Sequence, residues 1–242
     1  MNLLVLMAGA STAFADSNYP KNLVEVEGVP LVERVLDNLK SLRDAGAKLI
    51  CAVSMDEQRR FHTSDVVRLI DPKAEVIEVR AATGGAACTA LLAAEFINSD
   101  EPLVITNGDQ IIDAELVSVI EGFQKENLDA ATIVFEAVHP RWSYVRLGES
   151  GYVVEAAEKK PISRHATAGF YYFAKGRSFV SAAFSMIEKD AHVGGQFYVC
   201  PSFNEMILKQ AKIGIYQIPR DAYHSLSTPD NVALYAQGLS RQ

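Results

Sequence analysis

The strongest constraint in this chain is a rhythm. From its second residue onward, short apolar runs rich in β-branched residues alternate with longer stretches whose apolar positions recur at helical spacing. Asn2–Met7 reads as a buried strand. Pro30 to Ala45 reads as a helix, with Pro30 suited to its first turn and Leu31, Val32, Val35, Leu36, Leu39 and Leu42 on one face; Gly46 stops it. Lys48–Ser54 is a second strand, Asp56–Ile70 a second helix and Glu75–Val79 a third strand. Ala86–Ile97 is a third helix, and Pro102–Thr106 a fourth strand that opens onto Asn107-Gly108-Asp109. A βαβαβαβ order predicts a mostly parallel α/β sheet with helices on both faces. Crossovers in such a sheet are right-handed, and ligands bind beyond the carboxyl ends of the strands. The loops after Met7 and Thr106 therefore mark the functional edge.

The second half is richer in strands. Ala130–Val138, Ser143–Leu147, Tyr152–Ala157 and Ala166–Ala174 read as strands, followed by helices over Arg177–Lys189 and Ser202–Gln210. A strand over Ile213–Ile218 and a helix from Pro229 complete the pattern. No linker-like break, repeat or low-complexity tract divides the 242 residues, so one continuous domain is expected.

Composition narrows the function. Hydrophobic residues are 49% and charged residues 22%, which suits a globular chain and excludes a disordered one. With 23 Lys and Arg against 30 Asp and Glu, the net charge of −7 disfavours generic binding to nucleic acid or to an anionic membrane. No apolar run approaches the roughly 20 residues that cross a bilayer. Ala13-Phe14-Ala15 resembles a secretory cleavage site, but no Lys or Arg precedes the run, and its strongly apolar part, Leu3 to Met7, is short. The three cysteines, Cys51, Cys88 and Cys200, are far apart and lack CxxC or Cys/His spacing, which suits a reducing, cytoplasmic location.

Two segments carry the chemistry. Ala8-Gly9-Ala10-Ser11-Thr12-Ala13-Phe14 follows the first strand, and small residues there can aim backbone N–H groups at an anion, or simply turn the chain. Lys21 could then place a point charge on a phosphate. Asp109, at the end of the fourth strand, stands where Mg²⁺ would bridge a carboxylate and a triphosphate; an aspartate there could equally cap the next turn.

Six blocks in series extend this picture: MAGASTAF followed by YPKNLVEVEGVPLVERVLDNL, ATGGAACTALLAAEFI, NGDQIID, HPRWSYVRL with AEKKPISRHATAGFYYFAKG, FYVCPSFNEMI and STPDNVALY. Together, over nearly the whole chain, they resemble the nucleotidyltransferase family of sugar-nucleotide pyrophosphorylases, in particular the branch found with bacterial capsule and surface-polysaccharide genes. The resemblance implies a GT-A-like, Rossmann-related fold with a nucleotide-binding half (1–125) and a β-rich, acceptor-binding half (126–242). It implies transfer of a nucleotidyl group from an NTP to a small phosphorylated acceptor, with release of pyrophosphate. By position, Ala8, Gly9, Ala10, Ser11 and Thr12 would wrap the triphosphate with Gly108 nearby, and Thr83, Gly84, Gly85 and Ala86 would meet the base. Lys21, Asp109 and Lys159 would act on the reacting phosphates, Asp109 would hold Mg²⁺, and Glu158, Lys159 and Gly169 would bind the acceptor. Neither nucleic acid nor a membrane is an implied partner, and a homo-oligomer is compatible with the sequence. Such transfers depend on positioning and charge stabilisation, and no nucleophilic triad is evident.

The sequence departs from the family at three points. Ser11 replaces a glycine and resists positive φ. Ala13 replaces the arginine that clamps the leaving pyrophosphate, and losing such a donor typically costs about 3–4 kcal/mol of transition-state stabilisation. Ser225 stands where many members have a second metal carboxylate. Two accounts stay open. Either the chain is an active transferase that clamps the triphosphate through Lys21, Lys159 or Arg164, or it keeps the pocket as a binding or regulatory protein without turnover. A GT-A glycosyltransferase would want Asp-x-Asp, and Asp109 and Asp113 are spaced differently. Trp142 and Tyr144 suit either the acceptor side or packing. His139, His165, His192 and His224 lack metal spacing, Cys200 reads as a small buried hydrophobe, and Arg59-Arg60 as a solvated helix face.

Overall fold

Strand β1 (Asn2–Leu6) lies inside the parallel part of the sheet in the computed structural model, which describes residues 1–10 and 12–239. Ser11 falls outside the described residues. A strand covered on both faces must be apolar at every position. Leu3 and Val5 accordingly enter one core and Leu4 the other.

A small hairpin, β2 (Glu25–Val26) and β3 (Val29–Pro30), leads into α1 (Leu31–Asn38) and α2 (Lys40–Asp44). Then come β4 (Lys48–Ser54), α3 (Met55–Phe61), α4 (Thr63–Ile70), β5 (Glu75–Val79), α5 (Ala86–Leu91) and α6 (Ala94–Ile97). Next are β6 (Leu103–Asn107), β7 (Gln110–Ile112), α7 (Leu116–Lys125), β8 (Ala130–Glu136), β9 (Ser143–Leu147), β10 (Val153–Glu158) and β11 (His165–Phe173). The chain continues through α8 (Gly176–Glu188), α9 (Ser202–Ile207), β12 (Ile213–Gln217), β13 (Tyr223–Ser225) and α10 (Pro229–Leu239).

Three expected helices are each broken in two. The first bends at Leu39 (φ −93°, ψ 5°), the second at His62, whose left-handed φ of 59° is a helix-ending conformation, and the third at Leu92-Ala93. The apolar stripe survives the first break: Leu31, Val35, Leu39 and Leu42 all point into one core. The rhythm as read above leaves residues 113–129 without an element. They hold α7, whose buried Leu116, Val119, Ile120 and Phe123 do keep helical spacing.

Strands β5, β4, β1 and β6 are neighbours in that order and parallel throughout. Strand β11 pairs antiparallel with β6 and with β8, and β12 runs parallel to β8. The sheet is therefore mostly parallel, as expected. One core, with α1, α4 and α7, covers one face; the other, with α5, α8 and α9, covers the opposite face. The chain reverses its direction of travel across the sheet between β1 and β6, and such a switch point opens a crevice at the carboxyl ends of the strands.

Strand β11 creates the second half of that crevice. Its first residues, His165 and Ala166, pair with β9, whereas Phe170–Phe173 pair with β6 on the same edge. Between them the register against β8 slips, from Thr167↔Val134 to Tyr171↔Thr132. Gly169 sits in the slip at φ +63°, and a Cβ there would strike Asn107 Nδ2 and come within 2.7 Å of Gln110 Oε1. Only glycine fits. We expect Gly169→Ala to lower unfolding free energy by about 1–3 kcal/mol. Chemical denaturation checks this, and an unchanged midpoint would show that the slip relaxes freely.

Candidate active site

The chain leaves β1 through Ala8-Gly9-Ala10 and returns to the sheet edge in a 3-10 turn over Lys21–Leu23. Asn22 fixes that turn: its buried Nδ2 donates to Met7 O at 3.1 Å and to Glu57 Oε2 at 2.7 Å. Lys21 is thereby aimed at the exit of β6, where its Nζ lies 2.6 Å from Asp109 Oδ2, with side chains only 11% and 23% exposed. Two backbone bonds hold Asp109 from either side, Gly108 N to Leu6 O at 2.8 Å and Leu226 N to Asp109 O at 2.7 Å. The second of these extends the β7–β13 pair, in which Ser225 faces Gln110.

A second polar group forms where β9 begins and β10 ends. Ser143 is the register partner of Glu158, and its hydroxyl donates a short hydrogen bond to Glu158 Oε2. Burial pushes the Glu158 carboxyl above its ordinary range, opposed by the Ser143 bond and the Lys159 charge. Lys159 has φ +54° and its N–H donates to Trp142 O at 3.0 Å. Its Nζ donates to Tyr198 Oη at 2.8 Å, and this bond leads the causes that raise its pKa. Deeper in, Gln110 Nε2 donates to Thr106 Oγ1 at 3.1 Å and to Gly169 O at 3.2 Å, while its Oε1 accepts from Asn107 Nδ2 at 3.3 Å.

Trp142 both packs and faces the cleft. It meets Phe135 and Tyr223 edge-on at 5.3 and 5.6 Å, and those two rings stack at 4.7 Å. Tyr144 is fully buried and donates to His139 O at 2.7 Å, so it belongs to the core. On the far wall, Gly85 adopts φ +122° with Phe197 backbone against it; Phe197 N donates to Gly84 O at 2.7 Å, and Ala87 N donates to Phe197 O at 2.9 Å.

These groups share one cleft of about 730 Å³, the size of an ordinary ligand pocket. Of the residues singled out from sequence, Ala8, Gly9, Ala10, Lys21, Thr83, Gly85, Ala86, Asp109, Glu158, Lys159 and Gly169 line it. Thr12 stands in an exposed turn, and Gly84 and Gly108 are packed against Phe197 and Met7 behind the lining. Arg164 points away, paired with Glu136 at 2.9 Å on the surface. Arg141 lines the cleft instead, with Asn107, Gln196, Tyr198 and Tyr223, none of which sequence reasoning singled out. For Arg141 a signal existed, because it stands just before β9 within the HPRWSYVRL block; Tyr198 and Tyr223 become visible only once distant segments meet.

The lining carries three cations (Lys21, Arg141, Lys159) and two carboxylates (Asp109, Glu158) in a chain of net charge −7. A locally cationic cleft in an anionic protein attracts small anions. Cys51, pushed up to about 12 by burial, and Cys200, also pushed up by burial, are inert thiols rather than nucleophiles. His224 bonds Asp113 at 2.8 Å, and no cluster of three or more His, Cys, Asp or Glu ligands occurs among the described residues. This edge is no all-protein metal cage. It does fit Mg²⁺ brought by a substrate, which is held by one or two carboxylates together with phosphate oxygens. Asp109 would supply the carboxylate, while Ser225 and Ser227, 2.9 Å apart, offer only hydroxyls.

A family model for the MobA-like NTP transferase domain matches residues 3–168. The chain is a member of the MobA-like NTP transferase family. Among curated relatives it is 26% identical to the bifunctional protein GlmU of Streptococcus pyogenes serotype M6, over 99% of this chain and 51% of that protein. The chain thus spans about half the length of the curated relatives it matches. Its fold resembles that of the nucleoside-diphosphate-sugar pyrophosphorylase of Vibrio cholerae RC9, at TM-score 0.82, 20% identity and coverage of 97% and 99%. It also resembles the inositol-1-phosphate CTP transferase of T. maritima, at TM-score 0.75, 14% identity and coverage of 99% and 94%. In this member of the NTP transferase family no helix among the described residues is long and apolar enough to cross a membrane.

Glu158 gives the site a pH signature. Its folded-state pKa is raised, so the native protein binds the proton more tightly than the unfolded chain, and stability falls as pH climbs from the ordinary value of 4.5 through the raised one. Glu158→Gln removes that dependence. Melting temperatures of the two proteins from pH 4 to pH 7 are expected to shift in favour of the glutamine variant as pH rises. A constant difference would mean that Glu158 titrates alike in both states.

Proposed function

We propose that this chain transfers a nucleotidyl group from a nucleoside triphosphate to the phosphate of a small hydroxylated acceptor, such as a sugar phosphate, and releases pyrophosphate. The observation that carries this reading is the Lys21–Asp109 pair at the β1–β6 switch point, sharing one cleft with Glu158 and Lys159. The small-residue loop Ala8–Ala10 lets phosphate oxygens approach the backbone, with Ser11 and Thr12 continuing it. Lys21 neutralises charge on the triphosphate, and the wall of Thr83, Gly84, Gly85 and Ala86 takes the base. An acceptor phosphate oxygen attacks the α-phosphorus in line while the bond to pyrophosphate breaks, so the chain's work is positioning and charge balance. Asp109 would hold Mg²⁺, which would supply dispersal of the triphosphate's charge. Glu158 accepts hydrogen bonds from the acceptor's hydroxyls beside Gly169. The product is an activated precursor for surface-polysaccharide assembly in the cytoplasm, a reading supported by the resemblance to capsule-associated members.

One observation favours the alternative of a binding or regulatory protein without turnover. Ala13 stands exposed where the family places its pyrophosphate clamp, and among the described residues Arg141 is the only arginine in the cleft lining. A panel of NTPs with Mg²⁺ and sugar phosphates, read by pyrophosphate release, separates the two. We expect release with one base, and a fall in kcat/KM of about 10²–10³ in Asp109→Asn and Lys21→Met. No release with any pair, alongside clear thermal shifts on ligand addition, would establish the binding account. In an active enzyme Ala13→Arg is expected to raise kcat by restoring a charge at the leaving group. No gain would show that the loop already compensates.

A further inference from the structure

The three cations of the cleft are not equally engaged. Lys21 is held by Asp109. Among the described residues, neither Arg141 nor Lys159 forms an ion pair: Lys159 Nζ donates to the neutral Tyr198 hydroxyl, and the Arg141 guanidinium lies 4.5 Å over the Trp142 ring. The neighbouring Arg220 lies over the Phe135, Trp142 and Tyr223 rings, donates to Tyr223 O at 2.9 Å, and is not among the residues lining the cleft.

The two unpaired cations are brought to one rim by backbone. Lys159 N donates to Trp142 O at 3.0 Å, one residue from Arg141, and the next rung of the ladder is Ser143 opposite Glu158. Both side chains line the cleft. The positive charge of Arg141 is also felt at the Tyr223 hydroxyl inside it, where it opposes the upward push of burial and Asp109. A guanidinium held over an aromatic face is weakly hydrated, leaving its N–H fork to meet a planar pair of oxygens. Phosphate takes such a fork bidentately, and an ammonium beside it adds a point charge.

We infer that Arg141 is a specificity-determining residue for the acceptor's phosphate, completing a subsite beside the Lys159 that the family resemblance already assigns to the acceptor, and selecting a phosphate monoester dianion over a carboxylate or a neutral alcohol. The inference deepens the transfer reading and rests on it for which anion arrives at this rim. Glu158 adjoins the subsite, so the acceptor class is a phosphate ester with a hydroxyl close to its phosphate-bearing carbon. The rim is distinct from the Lys21–Asp109 edge, whose cation is already engaged by a carboxylate.

The protein supplies its own reporter. It contains one tryptophan, Trp142, and the proposed phosphate-binding guanidinium lies on it. Tryptophan fluorescence titrated with inorganic phosphate and with methyl phosphate, at ionic strength held constant with chloride, should change saturably in the wild type. The change should vanish in Arg141→Met and be retained, with weaker binding, in Arg141→Lys. In turnover, Arg141→Met should raise the acceptor KM about 10- to 100-fold with the NTP KM nearly unchanged. A wild-type response no different from that to chloride, or an Arg141→Met protein that responds like the wild type, overturns the subsite. The outcomes are separable from the transfer reading. Specific phosphate capture without pyrophosphate from any substrate pair sinks the transfer reading and leaves the subsite standing; turnover whose acceptor KM ignores Arg141 does the reverse.

Discussion

The structure of the site depends on one electrostatic contact, the 2.6 Å pair between Lys21 and Asp109. Each partner is delivered by a different strand end, β1 through its loop and β6 directly, and each is mostly shielded from water. Removing one member of a fully buried pair strands the other at about 3–5 kcal/mol; this pair, partly open to the cleft, lies below that limit. The openness is the useful property. The Lys21 ammonium is a group suited to phosphate oxygens and the Asp109 carboxylate one suited to a divalent cation, and at the cleft edge each compensates the other's charge.

Opposite that edge, the second side of the cleft is made by a discontinuity in the sheet. Strand β11 borders β9 along its first residues and β6 along its last, and the space where one neighbour stops before the other begins is floored by Gly169, Asn107 and Gln110. A continuous ladder would close it. The slip also sets β9 and β10 beside the Lys21–Asp109 edge, so that Arg141, Glu158 and Lys159 line one opening with Lys21 and Asp109. The Phe135, Trp142 and Tyr223 rings, with Arg220 among them, tie this rim to β13, whose Ser225 neighbours Asp109. The two sides of the cleft are thus tied together by one aromatic cluster.

Much of this was legible in the linear chain. The alternation of apolar runs and helical stripes fixed a mostly parallel sheet, and the small-residue loop after β1 with Asp109 after β6 marked its working edge, because periodicity and strand-end loops are local properties. Membership of the transferase family followed from motifs in series. What local signals could not decide were the partners. Arg164 is as basic as Arg141, yet one faces Glu136 at the surface and the other the cleft; each lies in the irregular backbone just before a strand, where no periodicity along the chain sets the direction of a side chain. The breaks at Leu39 and His62 escaped a period count for a related reason, as an apolar stripe continues across a bend that tertiary packing imposes.

The sequence by itself, then, determined the sheet, its open edge and the kinds of charge placed there, because each follows from residues near one another in the chain. Only the tertiary structure decided that Lys21 meets Asp109 across 88 residues, that Lys159 reaches Tyr198, and that Gly169 floors a gap between two strands. Contacts of this kind arise where separate strand ends converge, and no spacing along the chain specifies which ends those are.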